Sequence, residues 1–287
     1  MKPPPFAYRR ASSLEEALRL AAEAGEDAKF IAGGQSLMPL LALRLSRPSH
    51  LVDINRLQEL GGVHQENGAL RVGALVRHAT LERSPDLDGP WQALREAAAL
   101  IGHYPIRLRG TFGGSLAHAD PAAELPVVST ALQATFIARS ASGEREIPVS
   151  EFFAGPLMTV LEPGELVVEA RFPAPSPGTR SVFEEFSPRA GDFAFAAAAV
   201  VLAADDGGRV RNAHIALGGV AAIPVRAHEA EAALEGEVLT GSAAQEAARL
   251  AAAGCDPSGD AHASGAFRKE LVATLVGRAL SRLREER

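Results

Sequence analysis

One cysteine, Cys255, stands in a chain of 287 residues. That excludes an intrachain disulfide. It also excludes an all-cysteine iron–sulfur cluster held by this chain alone, because such a cluster takes four thiolates. Aromatic residues are scarce, at 5%, and most of them are Phe. Basic residues do not dominate: 29 Lys and Arg against 35 Asp and Glu give a net charge of −6, which argues against nucleic acid as a partner. Long apolar runs are missing as well. The longest, FAFAAAAVVLAA at 193–204, is too short for a bilayer span, which takes about 20 residues. The start, MKPPPFAYRR, has a lysine but no apolar core behind it, so no signal peptide is expected. A protein of the cytoplasm, without a transmembrane segment, is the resulting expectation. Neither common phosphate signature is present, G-x-G-x-x-G or G-x-x-x-x-G-K-[ST].

What is there is ample apolar material, 47% of the chain, enough for sizeable cores. At about 100–200 residues per domain, two domains are expected. FAYRR, SSLEEALRLAAEAG, KFIAGG, SLMPLLALRL and HLVDI read in turn as strand, helix, strand, helix and strand. Ser12 or Ser13 caps the first helix and Gly25 ends it. GALRVGALV (68–76) alternates like a strand pair, PWQALREAAALIG reads as a helix, ELPVVSTALQATFIAR as a helix running into a strand, and GELVVEARFP as a strand. The stretch PAPSPGTRS (173–181) carries three prolines and is the best candidate for a domain boundary. Beyond it, three strands precede three helices, the order of an α+β domain. The alanine-rich runs at 194–204 and 243–253 read as core, and the terminal SRLREER as a solvated helix end.

Two glycine motifs carry the chemistry. Ala32, Gly33, Gly34, Gln35 and Ser36 lie between a strand and a helix. Glycines there allow left-handed backbone angles and close approach to a ligand. Amides at the helix start favour an anion. Gly110, Thr111, Phe112, Gly113, Gly114 and Ser115 form a second turn with two hydroxyls, whose successive amides can make an anion nest. Either turn alone is equally a connection with no ligand. Together, a Gly-Gly pair on each side suits a diphosphate, and so a dinucleotide. His118, Asp120 and Glu124 follow the second turn. The acids can accept from sugar or ribityl hydroxyls. The same DPAAE also reads as a helix start, with Asp120 as N-cap, Pro121 in first position and Glu124 closing a capping box. His50, His64 and His78 are scattered without metal spacing, so no metal site is expected. Arg107 and Arg109 either steer anions or pair structurally.

AGGQSLMPLLALRLSRPSHLVDI, RGTFGGSLAHADPAAELP and RAGDFAF, in this order, resemble the FAD-binding medium subunit of the molybdenum hydroxylases, the carbon monoxide dehydrogenase, quinoline oxidoreductase and xanthine dehydrogenase type. ALGGVAAIPVRA and HASGAFRKELVATLVGRAL resemble that family's small C-terminal domain. The resemblance implies an α+β protein: a two-subdomain FAD-binding domain of the vanillyl-alcohol-oxidase-like (PCMH) type over residues 1–176, its subdomains about 1–57 and 58–176, then a small α+β domain over 177–287. It implies FAD with its diphosphate between Ala32–Leu37 and Thr111–Ser115. It places Asp120 and Glu124 at the sugar or ribityl chain, and Leu166, Asp192 and Phe193 near the flavin ring, where an aromatic can stack. Three positions depart from the family pattern: Leu108 between two arginines where Asn is common, Glu124 where Asp is common, and Pro188 in place of a basic residue.

The implied partners are a large molybdenum–pterin subunit and a small 2Fe–2S subunit, as a dimer of heterotrimers, a heterohexamer. Electrons would enter from the iron–sulfur clusters and leave from flavin to an outside acceptor. No side chain is then expected to act as a catalytic base, since the flavin carries the chemistry. Two readings share the motifs: a stand-alone FAD oxidase or dehydrogenase, and an assembly subunit whose flavin site is vestigial. A Rossmann protein is disfavoured by the missing G-x-G-x-x-G after the first strand.

Overall fold

The first three strands are parallel. The computed structural model describes residues 2–285. β1 (Ala7–Arg10), β3 (His50–Asp53) and β2 (Ala28–Ile31) form a sheet in the order β1-β3-β2. Two helices connect them: α1 (Leu14–Ala24) and α2 (Leu37–Ala42). Ser13 caps α1 by accepting from the Glu16 amide, and Gly25 closes it at φ 78°. Apolar residues at helical spacing, Leu14, Ala17, Leu18 and Ala21, give α1 one buried face. The helix α2 accommodates Pro39 in its first turn but is shorter than its sequence suggests, ending at Ala42 before Arg44 turns to φ 60°.

The second sheet is antiparallel, in the order β4-β5-β10-β6-β7. Its strands are β4 (Val63–Glu66), β5 (Ala69–Gly73), β6 (Thr135–Ser140), β7 (Gly143–Pro148) and β10 (Leu166–Phe172). Residues 68–76 do not form a strand pair. Only Ala69–Gly73 is a strand, and its partner β4 is a polar edge strand with three exposed positions. Helices α3 (His78–Arg83), α4 (Gln92–Leu100), α5 (Tyr104–Arg107), α6 (Phe112–His118) and α7 (Glu124–Ala131) run between β5 and β6. A short helix α8 (Val149–Phe152) and a hairpin, β8 (Phe153–Gly155) with β9 (Met158–Thr159), lead on to β10. One face of this sheet meets α1 through Ile137, Leu166 and Val168; the other packs Phe136, Ala170 and Phe172 with Phe112, Leu94 and Leu125.

The C-terminal part holds a four-stranded antiparallel sheet, β11 (Thr179–Phe186), β12 (Ala196–Ala204), β13 (Val210–Gly218) and β14 (Val225–Arg226). Helices α9 (His228–Leu234) and α11 (Gly265–Glu285) cover one face, with α10 (Gly241–Ala253) outside them. The helices α4 and α7 from the preceding domain cover the other face. This explains why AAAAVVLAA does not alternate: both faces of β12 are covered, so apolar residues are needed at every position. Small side chains let the helices come close.

The end of α11 is not simply solvated. Arg282 donates to Glu184 at 2.8 Å and to Glu96 of α4, and Leu283 is buried. Of the terminal SRLREER, residues 286 and 287 lie outside the described residues. Among the described residues no helix is long and apolar enough to cross a membrane. Cys255 is buried, and burial raises its pKa, as suits an inert thiol.

Candidate functional site

β2 ends at Ile31 and releases the chain into the first glycine motif. Gly34 has φ 71°, which a side chain rarely tolerates. Gln35 folds back to donate from Nε2 to the Gly33 carbonyl at 2.9 Å. Among the described residues, the amides of Gly33, Gly34, Gln35, Ser36 and Leu37 donate to no group of the chain. Nearly all backbone N–H groups away from water are paired. Gly33 is buried and the four after it are half-buried. Five successive open donors at the start of α2 therefore form a site that suits an anion.

The second motif is not a loop but the first turn of α6. Thr111 is its N-cap, 2% exposed, and its hydroxyl accepts from the Gly114 amide at 3.2 Å. The amides before that are already engaged: Phe112 donates to Val76 at 2.9 Å and Gly113 to Ala74 at 2.8 Å. The expected nest of free amides is absent here, because the segment is stitched to the end of β5. Its two glycines also differ. Gly113 is buried, and a Cβ there would lie 2.6 Å from the Ala74 Cβ. Gly114 is exposed, and the Ser115 hydroxyl beside it has no partner among the described residues. Beneath the segment, buried His78 faces the Thr111 carbonyl from Nε2 at 3.0 Å. Burial lowers its pKa to about 4, so the ring is neutral and donates.

The two motifs touch. A Cβ on Gly33 would overlap the Arg109 carbonyl oxygen and lie 2.9 Å from the Gly110 Cα. Two residues that the sequence did not single out link them. Asn55 Nδ2 donates to the Ala32 carbonyl at 2.7 Å, and Asn55 Oδ1 accepts from Arg77 Nη2 at 2.9 Å. Arg77 Nη1 donates to the Arg109 carbonyl. Arg107 has a structural role, paired with Glu82 at 2.8 Å and donating to the Gly102 carbonyl at 2.9 Å. Arg109 has an exposed side chain with no partner among the described residues.

Asp120 is not a helix cap. Its Oδ1 accepts from the Ala122 amide at 2.9 Å in a tight turn, and α7 begins later, at Glu124 after Ala123. His118 lies 4.0 Å from Asp120. Glu124 is 6% exposed, and its pKa rises to about 8. Burial is the main cause, and Glu185 and Asp120 add to it. Burial also raises Glu185, on the neighbouring β11, to about 7. Glu124 is therefore protonated at neutral pH, and its carboxyl can donate a hydrogen bond as well as accept one.

Of the outlying candidates, Leu166 is buried in the seam between α1 and the second sheet. Asp192 and Phe193 sit in the loop between β11 and β12. That loop rests on the approach to the second motif, for a Cβ on Gly191 would lie 2.7 Å from His103 Nδ1. Phe193 is 65% exposed, an unusual position for a large apolar ring.

Residues 4–175 match the family described as the FAD binding domain in molybdopterin dehydrogenase, and residues 181–283 match the CO dehydrogenase flavoprotein C-terminal domain. The chain belongs to the FAD-binding medium subunits of the molybdenum hydroxylase family. It is 45% identical to the 6-hydroxypseudooxynicotine dehydrogenase complex subunit alpha of Paenarthrobacter nicotinovorans, over 98% of this chain and 95% of that one. It is 38% identical to the carbon monoxide dehydrogenase medium chain of Hydrogenophaga pseudoflava, over 98% of both. The structure of quinoline 2-oxidoreductase from Pseudomonas putida 86 superposes with a TM-score of 0.94 at 39% identity, covering 100% of this chain and 99% of that one.

The medium-subunit chain thus carries an FAD-binding domain followed by a C-terminal domain, the α+β arrangement expected. The donor set fits FAD. Open amides at Gly33–Leu37 match phosphate oxygens, a protonated carboxyl and an aspartate match hydroxyls, and an exposed aromatic ring matches a flat heterocycle.

Proposed function

We propose that this chain is the electron-transferring flavoprotein of a multi-subunit molybdenum hydroxylase of the cytoplasm. FAD, when bound, would supply the redox chemistry, the passage of electrons from iron–sulfur clusters to an external acceptor. The chain's own residues bind, orient and shield. Gly33 to Leu37 offer their amides to the diphosphate, with Ala32 leading into the loop. Thr111 holds Gly114 and Ser115 against the same group, and Gly113 keeps that segment close to Ala74. Asp120 and Glu124 would face the sugar and ribityl hydroxyls, with His118 beside them. Leu166, Asp192 and Phe193 would hold the ring, and the exposed Phe193 would offer it a stacking surface. We assign 1–176 to the FAD domain, with subdomains about 1–57 and 58–176, and 177–287 to the C-terminal domain.

The observation that carries this reading is the run of five open amides abutting the second glycine segment. The partners are a molybdenum–pterin chain and a 2Fe–2S chain, in a dimer of heterotrimers. The name of one relative supports this in part, since it is a subunit of a dehydrogenase complex. The test is gentle purification of the tagged chain from its host, with released flavin quantified and co-purifying chains identified. One FAD per chain with a molybdenum chain and an iron–sulfur chain is expected. FAD without partners would replace the reading with a stand-alone oxidase, and partners without flavin with an assembly subunit.

A further inference from the structure

The Ala32 and Arg109 carbonyls each lie at the entry to one glycine motif; Asn55 holds the first, Arg77 holds the second, and the two side chains are hydrogen-bonded to each other. Asn55 has both its amide nitrogen and its carbonyl oxygen engaged. Its Nδ2 donates to Ala32 at 2.7 Å and to Asp53 Oδ1 at 2.8 Å, and its Oδ1 accepts from Arg77 at 2.9 Å. The partners fix the amide orientation, because two acceptors lie on one side and a guanidinium on the other. Asp53, buried at the end of β3, also accepts from the Asn55 backbone amide at 2.9 Å, from Arg10 at 3.3 Å and from the Tyr8 hydroxyl. Asn55 is thereby anchored to the first sheet. Arg77, at the entry to α3, reaches from Asn55 to Arg109 with separate nitrogens of one planar fork. Thr111 is also bridged to Arg77 through the backbone.

We infer that Asn55 and Arg77 are positioning residues for the cofactor, a clasp that sets the separation of the two glycine segments and so the width of the slot between them. This rests on the FAD reading above. The clasp touches only the chain's own carbonyls and acts through the donors those segments present. A diphosphate spanning both segments needs them at one spacing. The apo fold does not depend on it to the same degree, since both segments are held elsewhere by β2, α6 and Ala74.

The experiment uses the full chain stripped of flavin, titrated with FAD, and melted with and without added FAD. The variants are Arg77→Lys and Asn55→Ala. Lys keeps the charge but has no rigid fork to hold two acceptors. The expected result is an FAD Kd raised about tenfold or more in both. The apo melting midpoint should stay within about 2 °C of wild type, while the gain on adding FAD shrinks. Wild-type FAD affinity in both variants would overturn the inference. So would apo and FAD-loaded midpoints that fall together with the gap preserved, the mark of a purely structural role. If Asn55→Ala does not fold, Arg77→Lys decides alone. A wild-type chain that fails to bind FAD would instead sink the FAD reading, and the clasp's role with it.

Discussion

Gly218 of β13 lies so close to Val127 of α7 that a Cβ on the glycine would overlap the valine Cγ2. Gly218→Ala is therefore expected to destabilise the chain by about 1–3 kcal/mol through overpacking. Urea unfolding reads this directly, and a midpoint unchanged from wild type would contradict the contact.

The second glycine pair is expected to separate into two phenotypes. Gly113→Val forces a side chain into Ala74 and should lower the melting midpoint of the apo chain. Gly114→Val is at an exposed position and crowds only the Thr111 hydroxyl, 2.7 Å from its Cβ, so its cost to the fold is limited to the cap of α6, about 1 kcal/mol. It should leave the fold in place and release flavin. Flavin per chain and apo melting, measured on the same preparations, check both. Full flavin occupancy in Gly114→Val would remove that residue from the site.

The carboxyl pair gives a pH dependence with a definite sign. Glu124 has its pKa raised from 4.5 to about 8, and Glu185 from 4.5 to about 7. Between the unfolded and folded values, the native chain holds more protons than the unfolded one. Stability is thus fully present below about pH 4.5 and is lost as pH rises through 7 to 8. Apo melting midpoints from pH 5 to 8.5 should fall, apart from other titrations, and Glu124→Gln, which mimics the protonated form, should flatten much of that slope. An unchanged slope in the variant would refute the assignment.

Arg282 bridges Glu96 and Glu184, tying α11 to α4 and β11. Glu96 also accepts from the Phe183 amide at 2.9 Å. The arginine side chain is 36% exposed, so screening tempers the pair. Arg282→Ala is expected to cost about 1–2 kcal/mol. A double-mutant cycle with Glu96→Gln measures the coupling, and a coupling near zero would make the bridge incidental.

Much of the order of elements was legible, because caps and spacing were local. Ser13, Gly25 and the α1 stripe needed no distant partner. β4 was not legible: VHQE is polar because it is an exposed edge, so no alternation marks it. Asp120 was misplaced because D-P-A-A-E satisfies a capping box in sequence, yet the carboxylate caps the turn before the helix. The glycine motifs were visible as motifs, but not their division of labour. The run of five open amides lies in the first, while in the second the amides of Phe112 to Ser115 are engaged with Val76, Ala74 and Thr111. Asn55 and Arg77 left no signal, being ordinary residues 22 positions apart that matter only through the carbonyls they meet. The covered state of β12 was readable in its unbroken apolar run, but the origin of the covering helices was not.

The origin of those helices bears on how such chains can evolve. The β11–β14 sheet is roofed by α4 and α7 from one family region and floored by α9 and α11 from the other, with α7 and α11 lying on β12 itself. A crossover near residues 175–181, which looks like a natural seam, would graft a foreign ceiling onto a sheet whose alanines and Gly218 are cut to fit this one. The two regions are therefore expected to be inherited as a pair, and chimaeras between relatives to need their α7 and β13 taken from the same parent.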